Sequence, residues 1–313
     1  MKLEFMKIKE YLSIDDFECT IDSIFFYGKK IDDRSIRMVD FISAQCKYGH
    51  EVLYKNKTNS FIMNDISIKF NELEKAMSES IKKNNIKNIV LESTSLGYTE
   101  LLIILLNLSK RNSSIEITIL YAEPLEYTKK SENELDSETY ELSEDYHPHK
   151  YIKPFLLNEP HDFISSKAAT LISFIGFEEN RLGRVIEKNN DDNKYNEFIY
   201  IMPVPGFKFG WENISLSKHY HLIDNYKEIH YAPADDPYET YRILEKIVEN
   251  NPSKKIVIMP LGTKPCTIGA SIFLVNKKIE NKYDIATKFD FPIKSKNRSK
   301  GISKIYEYRL KLV

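Results

Sequence analysis

The sequence is poor in cysteine, which limits the kinds of protein it can encode. Only three cysteines occur in 313 residues, Cys19, Cys46 and Cys266. Their odd number and scattered spacing specify neither a disulfide framework nor a zinc site. We therefore expect a reducing, cytoplasmic environment for this chain.

Long apolar runs and an excess of one charge are also lacking. No run approaches the roughly 18 residues that a membrane span needs, and LLIILLNL at 101–108 has the length of a buried helix. The amino-terminal segment has no uninterrupted apolar region of the kind found in secretory signals. The formal net charge of −1 gives no global field that would attract nucleic acid or an anionic membrane. We expect neither a membrane nor a nucleic acid as partner.

The sequence does contain enough apolar residues for sizeable cores, and it contains a repeated pattern. Apolar residues make up 42% of the chain and aromatic residues 12%. The segment IVIMPLGTKPCTIGA at 256–270 has a fainter counterpart at 89–103, and the same separation relates Thr99 to Thr267. Runs typical of strands alternate with runs typical of helices. We predict an α/β protein made of two tandem Rossmann-like units related by internal duplication, with mainly parallel sheets and helices on both faces.

The predicted organisation has two units joined by an acidic linker. We place the first unit at 1–130, the linker at 131–167 and the second unit at 168–313. The linker begins with SENELDSETYELSEDY, which carries seven acidic residues and no basic one. The second unit contains an insertion at 203–227 and a basic carboxyl-terminal hairpin around 294–304.

Local signals predict individual helices, one of them over 33–45. Asp236, Pro237 and Glu239 form a helix start, so a helix is predicted over 237–250. Apolar residues at steps of three and four predict another helix over 67–84.

One turn in the second unit has the features of a phosphate site. Gly262, Thr263 and Lys264 follow a strand and precede a helix, where backbone N–H groups and the helix dipole favour anions. Thr263 and Thr267 add hydroxyl donors, and Lys264 adds a charge. The turn matches neither the Walker A pattern nor GxGxxG. The alternative is a tight turn with a solvated lysine.

The segment MPLGTKPCTIGA resembles the GGTKPMSLGA-type loop of CARF (CRISPR-associated Rossmann fold) sensor domains, with Leu261 in place of the loop's first glycine. The resemblance implies a nucleotide or cyclic oligonucleotide ligand, contacted by Gly262, Thr263 and Lys264, and a sensing role in prokaryotic antiviral defence. It also implies an effector supplied by a protein partner encoded nearby. The counterpart in the first unit, Ser93–Thr99, keeps hydroxyls but has no lysine, and we interpret it as a degenerate copy.

Two acidic turns that also carry an arginine are further candidates. Glu178, Glu179 and Arg181 follow a strand and a glycine in the second unit, and Asp32-Asp33-Arg34 does so in the first. Acidic residues in a first helical turn also favour the dipole, so capping explains them equally well. If the loops after the strands converge, Glu178, Glu179 and Arg181 border the Lys264 turn.

No pattern identifies a metal, a cofactor or a catalytic group. The histidine pairs at 147/149 and 219/221 have no Cys or acidic neighbours at ligand spacing. Cys266 stands at a helix start but has no identifiable base. We predict no metal, no cofactor and no assignable catalytic residue.

The function predicted from the sequence is a nucleotide- or phosphorylated-ligand-binding sensor of a prokaryotic antiviral system. Two alternatives stay open. One is a nucleotide-processing hydrolase or glycosidase that uses Glu178, Glu179 or Asp235. The other is an interaction subunit of a multi-protein complex. A homo-oligomer is compatible with each of them.

Overall fold

A computed structural model gives the structure of the chain. It describes residues 1–20, 22–84, 86–111, 115–129, 140, 142–158, 169–192, 194–223, 228–252 and 254–313. Contacts divide the chain into two compact units. Unit 1 comprises Met1–Thr128 and Lys294–Val313, and unit 2 comprises Lys129–Ile293.

The described residues form sixteen strands and seven α-helices. The strands are β1 (Leu3–Tyr11), β2 (Ile24–Tyr27), β3 (Tyr48–Lys55), β4 (Ser60–Met63), β5 (Ile66–Lys69), β6 (Asn88–Glu92), β7 (Glu116–Tyr127), β8 (Ser143–Tyr146), β9 (Lys150–Tyr151), β10 (Ala169–Phe174), β11 (Tyr195–Pro203), β12 (Glu228–Ala232), β13 (Ile256–Met259), β14 (Ile285–Phe289), β15 (Pro292–Lys294) and β16 (Ser299–Leu312). The helices are α1 (Asp33–Gln45), α2 (Leu73–Lys83), α3 (Tyr98–Ser109), α4 (Glu179–Asp192), α5 (Trp211–His219), α6 (Pro237–Glu249) and α7 (Lys264–Glu280).

Unit 1 is built on an eight-stranded mixed sheet with the order β1-β16-β7-β6-β2-β3-β4-β5. The centre, β7-β6-β2-β3, is parallel. Antiparallel strands flank it on both sides, with β16 and β1 at one edge and β4 and β5 at the other. Both faces of this parallel centre must be covered by other elements. This explains why β2, β6 and α3 are mostly apolar and buried.

Unit 2 is built on a six-stranded sheet with the order β12-β11-β10-β13-β14-β9. Its first five strands are parallel, and the edge strand β9 is antiparallel to β14. Every residue of β10 and β13 is buried, as expected for the centre of a parallel sheet. Strands β8 and β15 form a separate two-stranded sheet.

The predicted fold class is wrong in the type of sheet. The sheets are mixed rather than mainly parallel, because antiparallel strands complete both of them. The sheets also differ in strand number and edges. Unit 1 continues from β3 into an antiparallel hairpin, whereas unit 2 continues from β11 into the parallel β12. The four central parallel strands have the same order in the two units, β3-β2-β6-β7 and β11-β10-β13-β14, so the sheets differ at their edges.

The division into units also differs from the predicted boundaries. The stretch 294–313 belongs to unit 1 rather than to the second unit, because β16 pairs with β1 and β7. Within the predicted linker, residues 130–139, 141 and 159–168 lie outside the described residues. Its described part is structured, since β8 and β9 lie there. The predicted insertion at 203–227 contains α5, and residues 224–227 lie outside the described residues.

Capping signals located two helices well. Asp32 accepts a hydrogen bond from the Ser35 N–H at 3.0 Å and starts α1. Asp236 accepts from two backbone N–H groups and starts α6 at Pro237. The helix predicted over 67–84 is wrong at its beginning, where β5 and a 3-10 turn precede α2. Positive φ angles at Asn64 and Asp65 make the tight turn that pairs β5 with β4.

The cysteine interpretation is corrected as well. Cys19 and Cys46 are joined as a disulfide, with Cα atoms 6.5 Å apart. Their sequence separation gave no sign of this, because the fold of β2 and α1 brings them together. The Cys19 N–H also donates to Gln45 Oε1 at 2.7 Å.

Among the helices of the described residues, none has the length and apolar character to cross a membrane.

Candidate functional site

The candidate site lies in unit 2, where the direction of strand addition reverses. From β10 the chain adds β11 and β12 on one side, then returns to add β13 and β14 on the other. The carboxyl ends of β10 and β13 are therefore adjacent, and the chain leaves them in opposite directions. In open α/β sheets, ligands bind outside the carboxyl ends of the strands at such a switch point. The two loops concerned are those after β10 and after β13.

Two glycines let these loops pack closely. A Cβ on Gly176 would lie 2.8 Å from the Leu261 carbonyl oxygen, and a Cβ on Gly262 would lie 2.9 Å from Phe174 Cβ. Both distances are shorter than side chains tolerate, so packing between the loops requires glycine at both positions. The structure thus brings together the two predicted segments and gives Gly262 a structural reason to be glycine.

The predicted hydroxyl donors are used within unit 2. Thr263 is the N-cap of α7, and its hydroxyl donates to the Ala234 carbonyl at 2.7 Å. The Thr267 hydroxyl donates to the Thr263 carbonyl at 2.9 Å, and Thr267 is buried. The Thr263 side chain holds the start of α7 against the segment after β12, and the Thr267 side chain bonds within the first turn of α7.

The backbone donors of this turn are also reduced. Pro265 has no N–H, and the Cys266 N–H donates to Thr263 Oγ1 at 3.4 Å. Burial raises the pKa of the Cys266 thiol, which disfavours a thiolate nucleophile there. Lys264 is the first residue of α7 and is partly exposed. The capacity of the turn to bind an anion therefore depends on Lys264 and the dipole of α7.

Arg181 is buried and held by Asp290, which follows β14. Its Nε and Nη2 each donate to one carboxylate oxygen of Asp290 at 2.7 Å. Burial alone would raise the pKa of Asp290, but the Arg181 guanidinium outweighs it and holds that pKa below its usual value. Nη1 of Arg181 lies 3.5 Å from the Leu261 carbonyl oxygen. The predicted ligand-binding arginine thus links the first turn of α4 to Asp290 after β14 and lies against the loop after β13.

The acidic residues of the same turn have different positions. Glu178 accepts a hydrogen bond from the Tyr146 hydroxyl at 2.7 Å, and it lies 3.5 Å from the Arg181 guanidinium. Burial, followed by the charge of Glu178, raises the pKa of Tyr146. Glu179 is the first residue of α4 and is partly exposed. Asp235, the third acidic candidate, follows β12 at the same edge of the sheet.

His149 is a titratable group near this ion-pair network. Burial lowers its pKa to about 4, although the Asp290 carboxylate acts in the opposite direction. Its Nε2 is buried and has no hydrogen-bond partner. Among the described residues, no three His, Cys, Asp or Glu side chains are grouped as a metal site would need.

The clustering of aromatic side chains beside these loops was not predicted from the sequence. The cluster consists of Tyr140, Phe177 and Trp211. The Phe177 ring centroid lies 4.9 Å from that of Tyr140 and 5.5 Å from that of Trp211. Two lysines lie over its rings, Lys208 at 5.3 Å and Lys218 at 5.8 Å from a centroid. The interleaved GFKFGW at 206–211 was a sequence signal for part of this cluster.

In unit 1, the segment that corresponds to the Lys264 turn has three of its hydroxyl groups in hydrogen bonds within the unit. The Ser93 hydroxyl donates to the Leu120 carbonyl, Thr94 Oγ1 accepts from the Ala122 N–H, and Ser95 Oγ accepts from the Gly28 N–H. All three side chains are buried. These three hydroxyls are used inside the unit, whereas Thr99 Oγ1 is buried without a hydrogen-bond partner.

The other acidic turn, in unit 1, is also internally paired. Asp32 accepts from the Arg34 guanidinium at 3.1 Å and from Arg298 Nε at 3.0 Å. Burial would raise the pKa of Asp32, but these two arginines outweigh it and lower that pKa well below its usual range. Lys304 pairs with Glu10. Part of the basic stretch 294–304 is therefore engaged within unit 1.

Comparison with known proteins adds no family. No protein-family model matches the chain, and no curated protein matches it significantly.

Proposed function

We propose that unit 2 binds a nucleotide or another phosphorylated ligand at the carboxyl ends of β10 and β13. In this proposal the chain is a sensor or regulatory protein of a prokaryotic antiviral defence system. The observation that carries it is the position of the Lys264 turn. The turn starts a helix at the switch point of a parallel sheet, directly beside the loop that follows β10.

The roles of the predicted residues differ within this proposal. Lys264 supplies the charge for the phosphate. The turn is formed by Thr263, Thr267 and Gly262, which do not contact the ligand. The two threonine hydroxyls donate to carbonyl groups of the protein, and Gly262 packs closely against the loop after β10. Arg181 holds the neighbouring loop in place through Asp290.

The resemblance of the LGTKP turn to CARF sensor domains supports the defence role and a cyclic oligonucleotide as one candidate ligand. A sensor of this kind passes its signal to an effector, which a protein partner or a second copy of the chain would provide.

Lys264→Ala tests the phosphate turn. Loss of one charge-assisted contact should weaken binding by roughly ten- to a hundredfold, equivalent to about 1.5–3 kcal/mol. The measurement is calorimetry of the full chain with ATP and with cyclic and linear di- to tetranucleotides. Lys278→Ala is the matched control, because Lys278 is exposed near the other end of α7.

Equal affinities of the wild-type and Lys264→Ala proteins would remove this turn from the site. If no member of the ligand set binds the wild-type protein, the proposed function fails.

A further inference from the structure

The disulfide of unit 1 joins two residues that differ in exposure. Cys19 lies in the segment 12–23, which connects β1 to β2, and it is partly exposed between two exposed neighbours, Glu18 and Thr20. Cys46 is the C-cap of α1 and is only 5% exposed. A thiol must reach the sulfur that it attacks. Cys19 is therefore the more accessible end of this disulfide.

The surroundings of Cys46 increase the difference. Its side chain belongs to an apolar core cluster that includes Val39 and Ile42. It also follows the last turn of α1, where the helix dipole is negative. Apolar burial and a negative potential both disfavour a thiolate. In the reduced protein, the attacking sulfur is therefore that of Cys19.

The two cysteines are held near each other by contacts other than the disulfide. The Cys19 N–H donates to Gln45 Oε1 at 2.7 Å, and Gln45 Nε2 donates to the Phe17 carbonyl at 3.3 Å. Phe17 itself is buried in the same apolar cluster as Cys46. These contacts fasten the segment 12–23 to the end of α1. A reduced pair therefore stays in position to form the bond again.

The sequence around Cys19 is acidic. Residues 13–23, SIDDFECTIDS, contain four acidic residues and no basic one. All four are exposed, namely Asp15, Asp16, Glu18 and Asp22. On the other side of the disulfide, the ammonium group of Lys47 lies over the Tyr48 ring. A cluster of exposed carboxylates attracts cations and repels anions over about 10 Å at moderate ionic strength. Cys19 therefore favours cationic thiols over anionic ones such as glutathione.

We propose that the Cys19–Cys46 disulfide is a reversible thiol-exchange site, in which Cys19 is the reacting sulfur and cationic thiols are the preferred partners. To open the site, a thiolate attacks Cys19 Sγ, the bond between the protein sulfurs breaks, and Cys46 leaves with the electron pair and takes up a proton. A second thiolate then attacks the reagent sulfur of this mixed disulfide and releases Cys19. One protein disulfide is thereby reduced, and two reagent thiols are oxidised to one reagent disulfide. This site does not depend on the phosphate site proposed for unit 2.

Trapping of mixed disulfides identifies the reacting sulfur. Full-length Cys46→Ser and Cys19→Ser proteins are incubated with cystamine, the disulfide of the cationic thiol cysteamine, and their peptides are analysed by mass spectrometry. The adduct at Cys19 in the first variant should form at least about tenfold faster than the adduct at Cys46 in the second, because a thiolate is disfavoured at Cys46. Cys266, which is buried in unit 2, is the internal control and should stay unmodified.

Reagent charge tests the acidic segment. Reduced wild-type protein is oxidised with cystamine and with oxidised glutathione, and each rate is divided by that of an unstructured, uncharged cysteine peptide. The protein should favour cystamine several-fold on this scale, and about 1 M salt should remove the preference, because the Debye length falls to about 3 Å. Asp16→Asn with Glu18→Gln should reduce the preference. Asp33→Asn with Asp40→Asn, at exposed positions on α1, is the matched control.

Gln45→Ala tests whether the pair is held in place. Without the amide, re-formation of the disulfide by reduced protein in cystamine should be several-fold slower, because Cys19 is less well positioned. Ser43→Ala is the matched control, since the Ser43 hydroxyl donates to the Val39 carbonyl within the same helix. It should leave the rate unchanged.

The contrary outcomes are distinct. Equal rates of adduct formation at Cys19 and Cys46 would overturn the assignment of the reacting sulfur. If either serine variant does not fold, pulsed alkylation of the reduced wild-type protein makes the same comparison. A preference for cystamine that persists in high salt would overturn the role of the carboxylates. Reduced wild-type protein that never regains the disulfide in cystamine would overturn the exchange site as a whole.

Discussion

At the scale of single residues, the polar groups at the carboxyl edge of unit 2 are mostly bound to one another. Arg181 and Asp290 neutralise each other through two hydrogen bonds of 2.7 Å. A buried pair of this kind adds little net stability compared with apolar packing, but removing one partner leaves a buried charge. The pair therefore fixes the geometry of the loop beside the Lys264 turn.

His149, beside this pair, predicts how stability depends on pH. Its pKa is lowered to about 4 in the folded protein, chiefly by burial, whereas an unfolded histidine titrates near 6.5. As pH falls below about 6.5, the unfolded state takes up the proton first. Stability should therefore decrease down to about pH 4, by up to about 3 kcal/mol.

Urea unfolding between pH 7 and pH 4 measures this dependence. His149→Gln should flatten the curve, and His221→Gln, at an exposed position, should not. The same slope in wild-type and His149→Gln proteins would show that His149 is protonated in the folded state.

At the scale of helices and strands, local signals were informative and long-range pairing was not. The start of α1 and the start of α6 were found because Asp32 and Asp236 cap their own helices. The pairing of β16 with β1 could not be predicted in this way, since the two strands lie at opposite ends of the sequence. The candidate site shows the same contrast. The Lys264 turn is one continuous segment, whereas Tyr140, Phe177 and Trp211 meet only through folding.

The packing of α6 against α7 predicts opposite effects for two glycine substitutions. Alanine favours a helix over glycine by about 1 kcal/mol. At Gly269, however, a Cβ would lie 2.3 Å from the Pro237 carbonyl oxygen, so the two helices would have to separate. We expect Gly269→Ala to destabilise the protein by about 1–3 kcal/mol, because overpacking outweighs the helix preference.

Gly183, inside α4, is the matched control. The nearest atom to its added Cβ is Leu222 Cδ1 at 3.8 Å, an ordinary contact. Gly183→Ala should therefore be neutral or stabilising by up to about 1 kcal/mol. Thermal unfolding of both variants provides the comparison. Stabilisation by Gly269→Ala would contradict the close approach of α6 and α7.

At the scale of the whole molecule, unit 1 is discontinuous in sequence, since 294–313 completes it. Without β16, the edge of β7 that faces away from β6 and the whole of β1 lose their partners. We expect residues 1–128 alone not to fold cooperatively, as judged by circular dichroism and hydrogen exchange.

A chain that joins residue 128 to 294–313 through a short flexible linker is the control. The Thr128 N–H donates to the Arg298 carbonyl at 3.0 Å, so the two segments are already adjacent. This version should fold. Cooperative unfolding of 1–128 by itself would mean that the antiparallel edge is dispensable.

The position of β16 also has a consequence for synthesis of the protein. The ribosome makes β1 before unit 2, but its partner strand β16 emerges only after every residue of unit 2 has been translated. Domains generally fold as units while the chain grows. Unit 2 can therefore fold first, and during that time the edge of β7 has no partner strand. This edge is then exposed to other nascent chains and to chaperones that recognise unpaired strands.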